Sequence, residues 1–251
     1  MLAPHVQHLG WLVARPIAHR GLHDITDGRL ENTMAAFKAA IASQYAIECD
    51  LQLSADGEAV VFHDNRLDRL TMAKGPMSQL TTAELRQLEL RDSKERIPIL
   101  AELLHAVQGQ VPLMIELKSH WNGSTALARR SLDILKNYAG RFALMSFDPD
   151  LVEAIRHHAP QTTRGIVADR VADRSWSRLP LPRRLELRHF LHVERSLPHF
   201  VSFQAGGLPW PPVTKLRAAG LPVVAWTVRS SAEAISVHRY CDQITFEGFR
   251  P

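Results

Sequence analysis

Residues 46–51 read Ala46-Ile47-Glu48-Cys49-Asp50-Leu51, an apolar strand pattern broken by two carboxylates. On a β-strand, residues i and i+2 share a face, so Glu48 and Asp50 point one way and Cys49 and Leu51 the other. Residues 111–118 repeat the device, with Glu116 and Lys118 spaced by two at the end of an apolar run. His19-Arg20 and His63-Asp64 close two more runs of this kind. A buried carboxylate without a partner costs several kcal/mol. Three of them would consume much of a typical folding stability of ~5–15 kcal/mol. The economical holder for Glu48, Asp50 and Glu116 is a divalent cation.

Outward from these clusters, strand and helix patterns alternate. Strands are predicted at residues 15–19, 46–51, 111–117, 142–146, 163–167, 200–203, 222–228 and 243–246. Helices are predicted at 32–43, 99–107, 127–138, 150–157, 183–191, 211–219 and 231–238, with Asn32 as the N-cap of the first. Eight strands with about seven intervening helices predict an α/β fold of the (β/α)8 TIM-barrel type, and the length of 251 residues matches that fold's usual size of ~250. No outer helix is expected after the eighth strand, and residues 2–12 are expected to cover the barrel bottom. The rival doubly wound sheet usually carries a Gly-rich nucleotide loop, and no G-x-G occurs here. Residues 58–98 break the alternation. They are read as a small insertion in the second βα loop, opening on a strand at 58–62 and containing a short helix at 82–88.

Composition adds bounds. At 45% hydrophobic and 22% charged residues, the chain is ordinary for a soluble globular protein. A net charge of +4 favours anionic ligands weakly. No basic stripe interleaved with aromatics points to nucleic acid. The Arg-rich stretch 170–195 is expected to be solvated surface. Two distant cysteines, Cys49 and Cys241, are no disulfide framework, which favours a reducing compartment. Residues 1–14 lack Lys and Arg and so lack a signal-peptide n-region. The uncharged stretch 196–214 holds four prolines and two glycines and reads poorly as a membrane span. The expectation is a cytoplasmic protein without a stable membrane anchor.

Catalytic groups of a (β/α)8 barrel sit at the C-terminal strand ends. Three adjacent strands and one hairpin then deliver all four clusters to one rim. Glu48, Asp50 and Glu116 form a hard oxygen set suited to Mg2+ or Ca2+. Arg20 and Lys118 supply charge for an anion such as phosphate. His19 and His63 can act as general base and general acid near neutral pH. Together these groups describe hydrolysis of a phosphate ester. Ion pairing alone, Glu116 with Lys118 and Glu48 with Arg20, is the metal-free alternative.

The chain resembles the glycerophosphodiester phosphodiesterase family. The resemblance rests on His19-Arg20-Gly21, Glu31-Asn32-Thr33, Glu48-Cys49-Asp50, Asp56-Gly57, Val60-Val61-Phe62-His63-Asp64, Leu67-x-Arg69-Leu70-Thr71, Ile97-Pro98-x-Leu100, Ile115-Glu116-Leu117-Lys118, Ser146-Phe147 and Ala225-Trp226-Thr227-Val228. It implies a metal-dependent barrel that cleaves glycerophosphodiesters into sn-glycerol 3-phosphate and an alcohol. By position it implies His19 and His63 as the acid/base pair and Glu48, Asp50 and Glu116 as ligands of one divalent cation, Mg2+ or Ca2+. Arg20 and Lys118 would contact phosphate, and Trp226 would wall the substrate pocket. Glu31 would support the first βα loop, and Asp64 would orient its neighbours. The same residues could serve a lysophospholipase D-type hydrolase acting on lysophospholipids, given an apolar groove, or a catalytically silent phosphate-ligand binding protein. The chain departs from the family pattern at Leu30, at Arg229 and at the C-terminal Thr245-Phe246-Glu247-Gly248, where the family often has Thr-Asp-x-Pro. None of the three is expected to touch the proposed site residues, and the last two are expected to bear on substrate preference or on the barrel's closing contacts.

Overall fold

The computed structural model describes residues 9–251. Nine strands form one sheet: β1 Ile17–Ala18, β2 Ala46–Leu53, β3 Ala59–Val61, β4 Leu113–Leu117, β5 Phe142–Ser146, β6 Arg164–Ala168, β7 Phe200–Gln204, β8 Val223–Val228 and β9 Gln243–Phe246. All neighbours pair in parallel except β3, which runs antiparallel on β2. β1 pairs with both β2 and β9, so eight parallel strands close on themselves and leave β3 outside the ring. This is the predicted TIM barrel, with each of the eight predicted strands in place.

Ten helices accompany them among the described residues: α1 Gly10–Val13, α2 Met34–Ala42, α3 Thr82–Leu85, α4 Leu100–Val107, α5 Ala126–Leu135, α6 Pro149–His158, α7 Leu181–Arg188, α8 Val193–Ser196, α9 Pro211–Ala218 and α10 Ser231–Val237. Local chemistry sets their starts. Asp148 caps α6 by accepting from the Asp150 N–H, with Pro149 in the first turn. Ser230 caps α10 by accepting from the Glu233 N–H. The first cap is a correction. Thr33, not Asn32, caps α2, accepting from the Ala36 N–H at 3.2 Å. Asn32 sits one residue earlier with φ +56 and spends its amide elsewhere. Tyr138 also falls beyond α5, where its hydroxyl accepts from the Gly109 N–H. Among the described residues, β9 is the last element.

Two apolar layers hold the barrel. Leu51, Ile115, Leu144 and Phe203 belong to the layer between strands and helices. Ile17, Ala46, Met114, Val167, Phe200 and Val224 fill the interior, where Leu9 and Leu12 join them from α1 and the residue before it. Residues 9–12 thus plug the N-terminal end of the barrel, as expected, while residues 2–8 of that expectation lie outside the described residues. The insertion after β2 has its own small core of Val60, Phe62, Leu67, Met77, Leu85 and Ile97. Cys49 and Cys241 are free and buried. The Arg-rich stretch is only partly solvated surface: Arg183 and Arg195 are half-buried and pair with Asp150, Glu153 and Glu186. No helix among the described residues is long and apolar enough to cross a membrane.

Candidate active site

The parallel register of β2 on β4 sets Asp50 beside Glu116. Glu48, one turn of the pleat below Asp50, shares its face. The three carboxylates are 2%, 1% and 7% exposed for Glu48, Asp50 and Glu116, and one oxygen from each lies within 4.8 Å of the others. Lys118 enters from the end of β4, and its Nζ lies 2.8 Å from Asp50 Oδ1 and 2.6 Å from Glu116 Oε1.

After β1 the chain turns sharply, with Arg20 at φ +53 and Gly21 at φ +79. A Cβ on Gly21 would stand 2.9 Å from that of Ala36, so only glycine fits the close approach of this loop to α2. The turn brings the Arg20 N–H to Glu48 Oε2 at 2.9 Å. The Arg20 guanidinium meets Glu31 at 2.6 Å and Asp50 at 3.4 Å. The Asn32 side-chain amide donates to Asp50 Oδ2 at 2.8 Å. Sequence reading assigned this asparagine to a helix cap; its left-handed backbone instead turns the side chain into the site.

Each histidine has a carboxylate on Nδ1. His19 Nδ1 is 2.6 Å from Glu247 Oε2, and His63 Nδ1 is 2.8 Å from Asp64 Oδ1. Both Nε2 atoms are left for other partners, and that of His19 lies 4.0 Å from Glu48. Arg69 fixes the second pair by spanning Asp64 and Glu31. Gln52, buried on the same face as Glu48 and Asp50, donates to the carbonyls of Phe62 and Asp64 and holds the turn that carries His63. On the other side, Arg229 Nη2 lies 2.8 Å from Glu247 Oε1, and His23 Nε2 lies 3.5 Å from Glu247 Oε2.

A cavity of about 150 Å³ opens among these groups. All eight residues proposed for the site from sequence line it: His19, Arg20, Glu48, Asp50, His63, Glu116, Lys118 and Trp226. Trp226 is held by its Nε1 donating to the Ser202 carbonyl at 3.0 Å and by edge contact with Phe147. One expectation is corrected here. Arg229 lines the cavity and Glu247 touches His19, so the departures at 229 and 245–248 belong to the site. Glu247, Arg229, Gln52 and Arg69 were not assigned to the site from sequence. The only signal for the first two was their departure from the family pattern.

The electrostatics are those of an anionic nest short of positive charge. Burial, and then Asp50 and Glu116, push the Glu48 carboxyl well above the usual carboxylate range. Burial opposes ionisation of Asp50 as well, but Lys118, His63 and Arg20 outweigh it and hold this carboxyl far below that range. Burial acts against the Lys118 ammonium, and Asp50 with Glu116 overcomes it and raises its pKa. Hydrogen bonds with His19 and His63 help hold Glu247 and Asp64 low. Burial lowers the pKa of His19, partly offset by Glu247. Three clustered carboxylates, one of them repelled toward its neutral form, fit a divalent cation with oxygen ligands.

The barrel resembles that of an Oleispira antarctica phosphodiesterase, described in complex with the product sn-glycerol-3-phosphate, at TM-score 0.76 and 24% identity over 94% of each chain. A Thermotoga maritima glycerophosphodiester phosphodiesterase matches at TM-score 0.70 and 24% identity over 92% of each chain. At that identity these likenesses speak for the fold. Among curated sequences, a glycerophosphodiester phosphodiesterase of Caldanaerobacter subterraneus subsp. tengcongensis is 31% identical over 161 residues, 60% of this chain and 65% of the relative. Glycerophosphodiester phosphodiesterase 1 of Bos taurus is 31% identical over 173 residues, 64% of this chain and 49% of the relative. The chain thus spans about half to just under two thirds of the length of these curated relatives. The model of the glycerophosphoryl diester phosphodiesterase family matches residues 19–248, from the first site histidine to just past Glu247, and the chain belongs to that family.

Proposed function

We propose that the protein is a metal-dependent hydrolase of glycerophosphodiesters, releasing sn-glycerol 3-phosphate and an alcohol. One observation carries the reading: two histidines, each oriented through Nδ1 by its own carboxylate, share a cavity with a three-carboxylate cluster and two cations. The Oleispira antarctica phosphodiesterase, described with that product bound, supports it.

Glu48, Asp50 and Glu116 would hold the cation. Bound there, it supplies Lewis acidity toward a phosphate oxygen. Arg20 and Lys118 hold the phosphate charge. Lys118 has three donors, and two already serve Asp50 and Glu116, so the third remains for the substrate. With each Nδ1 engaged, Nε2 is the atom that moves protons. One imidazole takes the proton of the attacking hydroxyl as its oxygen bonds to phosphorus. The bond from phosphorus to the alcohol oxygen breaks, and the other imidazole gives that oxygen a proton. When the attacker is the glycerol 2-hydroxyl, a cyclic phosphate forms and water opens it by the same exchange. When water attacks, glycerol 3-phosphate forms directly. Trp226 walls the pocket beside the reacting centre.

The test is release of glycerol 3-phosphate from glycerophosphocholine and glycerophosphoethanolamine. His19→Ala and His63→Ala should each lower turnover by roughly 10²- to 10⁴-fold. Wild-type turnover in either variant rejects the acid/base pair.

A further inference from the structure

Beside the charged cavity lies a larger one of about 570 Å³, and the two share His63, Glu116, Lys118 and Phe147. A molecule held at the charged end can therefore extend into the second chamber. Three of its walls are aromatic. Trp121 and Trp176 meet edge-to-face at 5.8 Å and 77°, and Phe147 leans on Trp176 at 5.7 Å. Trp121 sits at φ +56, a left-handed conformation that a bulky residue keeps only where its surroundings impose it. Ser119 imposes it here, accepting from the Trp121 N–H at 2.9 Å while its own hydroxyl donates to Asp148 at 2.6 Å.

The chamber also holds one carboxylate without a cation. Asp64 pairs with Arg69, Asp68 with Arg66 and Glu116 with Lys118. Asp169 makes no ion pair among the described residues, and the donors to it are the Val171 N–H at 2.5 Å and the Trp176 Nε1–H at 3.0 Å. An indole that donates Nε1–H to a carboxylate gains electron density on its face and becomes a better partner for a cation. Arg178, at the rim, is exposed, so solvent screens its charge.

We propose that this chamber is the subsite for the alcohol half of the diester and selects alcohols that carry a quaternary ammonium group. Trp121, Phe147 and Trp176 supply aromatic faces to the methylated cation, and Asp169 opposes its charge. A quaternary ammonium donates no conventional hydrogen bond and is weakly hydrated, so aromatic walls suit it better than they suit a primary ammonium. The inference rests on the diesterase reading, because it assigns the chamber to that reaction's leaving group.

Two measurements test it, the first independent of turnover. Choline and its neutral isostere 3,3-dimethyl-1-butanol are titrated calorimetrically into the wild-type protein, Asp169→Asn and Trp121→Ala. Trp121 is chosen because it is only half-buried, whereas truncating the buried Trp176 threatens folding. Choline should bind the wild type roughly 10-fold tighter than the isostere, with the gap narrowed to about 2-fold in Asp169→Asn. The second measurement is the ratio of kcat/KM for glycerophosphocholine over glycerophosphoglycerol, which should fall roughly 5- to 20-fold in both variants. Equal binding of choline and the isostere, or a ratio unmoved in both variants, overturns the assignment. If no diester is hydrolysed at all, the parent reading fails, and the titration still decides what the chamber binds.

Discussion

Glu247 Oε2 lies 2.6 Å from His19 Nδ1, joining the end of the last barrel strand to the end of the first. The contact closes the ring of proposed site residues at the seam where β1 meets β9. Arg229 braces the far oxygen of Glu247 at 2.8 Å. The glutamate stands at the unspecified third position of a stretch where the family often has Thr-Asp-x-Pro.

If His19 is one of the proton-transfer groups proposed above, Glu247 acts through it, and its loss should appear in kcat more than in KM. Glu247→Gln should lower kcat roughly 10- to 100-fold with KM within a small factor of wild type. Steady-state kinetics on glycerophosphocholine check this. An unchanged kcat would remove Glu247 from the positioning of His19.

A second prediction concerns acid stability. Burial drives the pKa of His192, which packs at the start of α8, down to about 4 from an ordinary 6.5. The unfolded chain therefore takes up this proton near pH 6.5, and the folded chain only near pH 4. Between those values the unfolded state binds more protons, so stability falls as the pH falls. The full loss is roughly 3 kcal/mol below pH 4, and His192 adds no slope above about pH 7. Urea melts at pH 7, 5.5 and 4.5 should show this slope in the wild type and a shallower one in His192→Gln. Equal slopes would contradict the assignment.

A third prediction tests the barrel interior. Gly165 on β6 registers against Phe200 on β7, and a Cβ on it would stand 2.2 Å from the Phe200 ring. That ring is fully buried in the interior layer, with little room to retreat. Gly165→Ala should therefore cost roughly 1–3 kcal/mol of stability, read from denaturant midpoints. A variant as stable as the wild type would mean the interior is looser than the structure shows.

What could be read ahead of the structure follows physical lines. The eight strands were legible because each is an apolar run closed by polar or turn residues, a local pattern. Glu48 with Asp50 and Glu116 with Lys118 were legible because a two-residue spacing fixes a shared face. Asn32 was misread because a cap and a left-handed turn residue carry the same side-chain signature, and only the position of Asp50 decides between them. Glu247 and Arg229 were legible only as departures from the family pattern, because their partners become neighbours only when β9 pairs with β1 and with β8. Gln52 was passed over because a lone glutamine in a strand has no chemistry of its own until the carbonyls of Phe62 and Asp64 are placed beside it. The aromatic chamber was invisible for the same reason, since Trp121, Phe147 and Trp176 come from three separate βα loops.

On the proposed reading, diester hydrolysis needs a divalent cation held by Glu48, Asp50 and Glu116. The most direct measurement is glycerophosphocholine turnover before chelation with EDTA, after it, and after return of Mg2+ or Ca2+, alongside Glu48→Gln. The prediction is a loss of at least about 100-fold on chelation, recovery on adding the metal back, and a higher metal requirement in Glu48→Gln. Turnover undiminished by chelation would rule out a metal role for the three carboxylates.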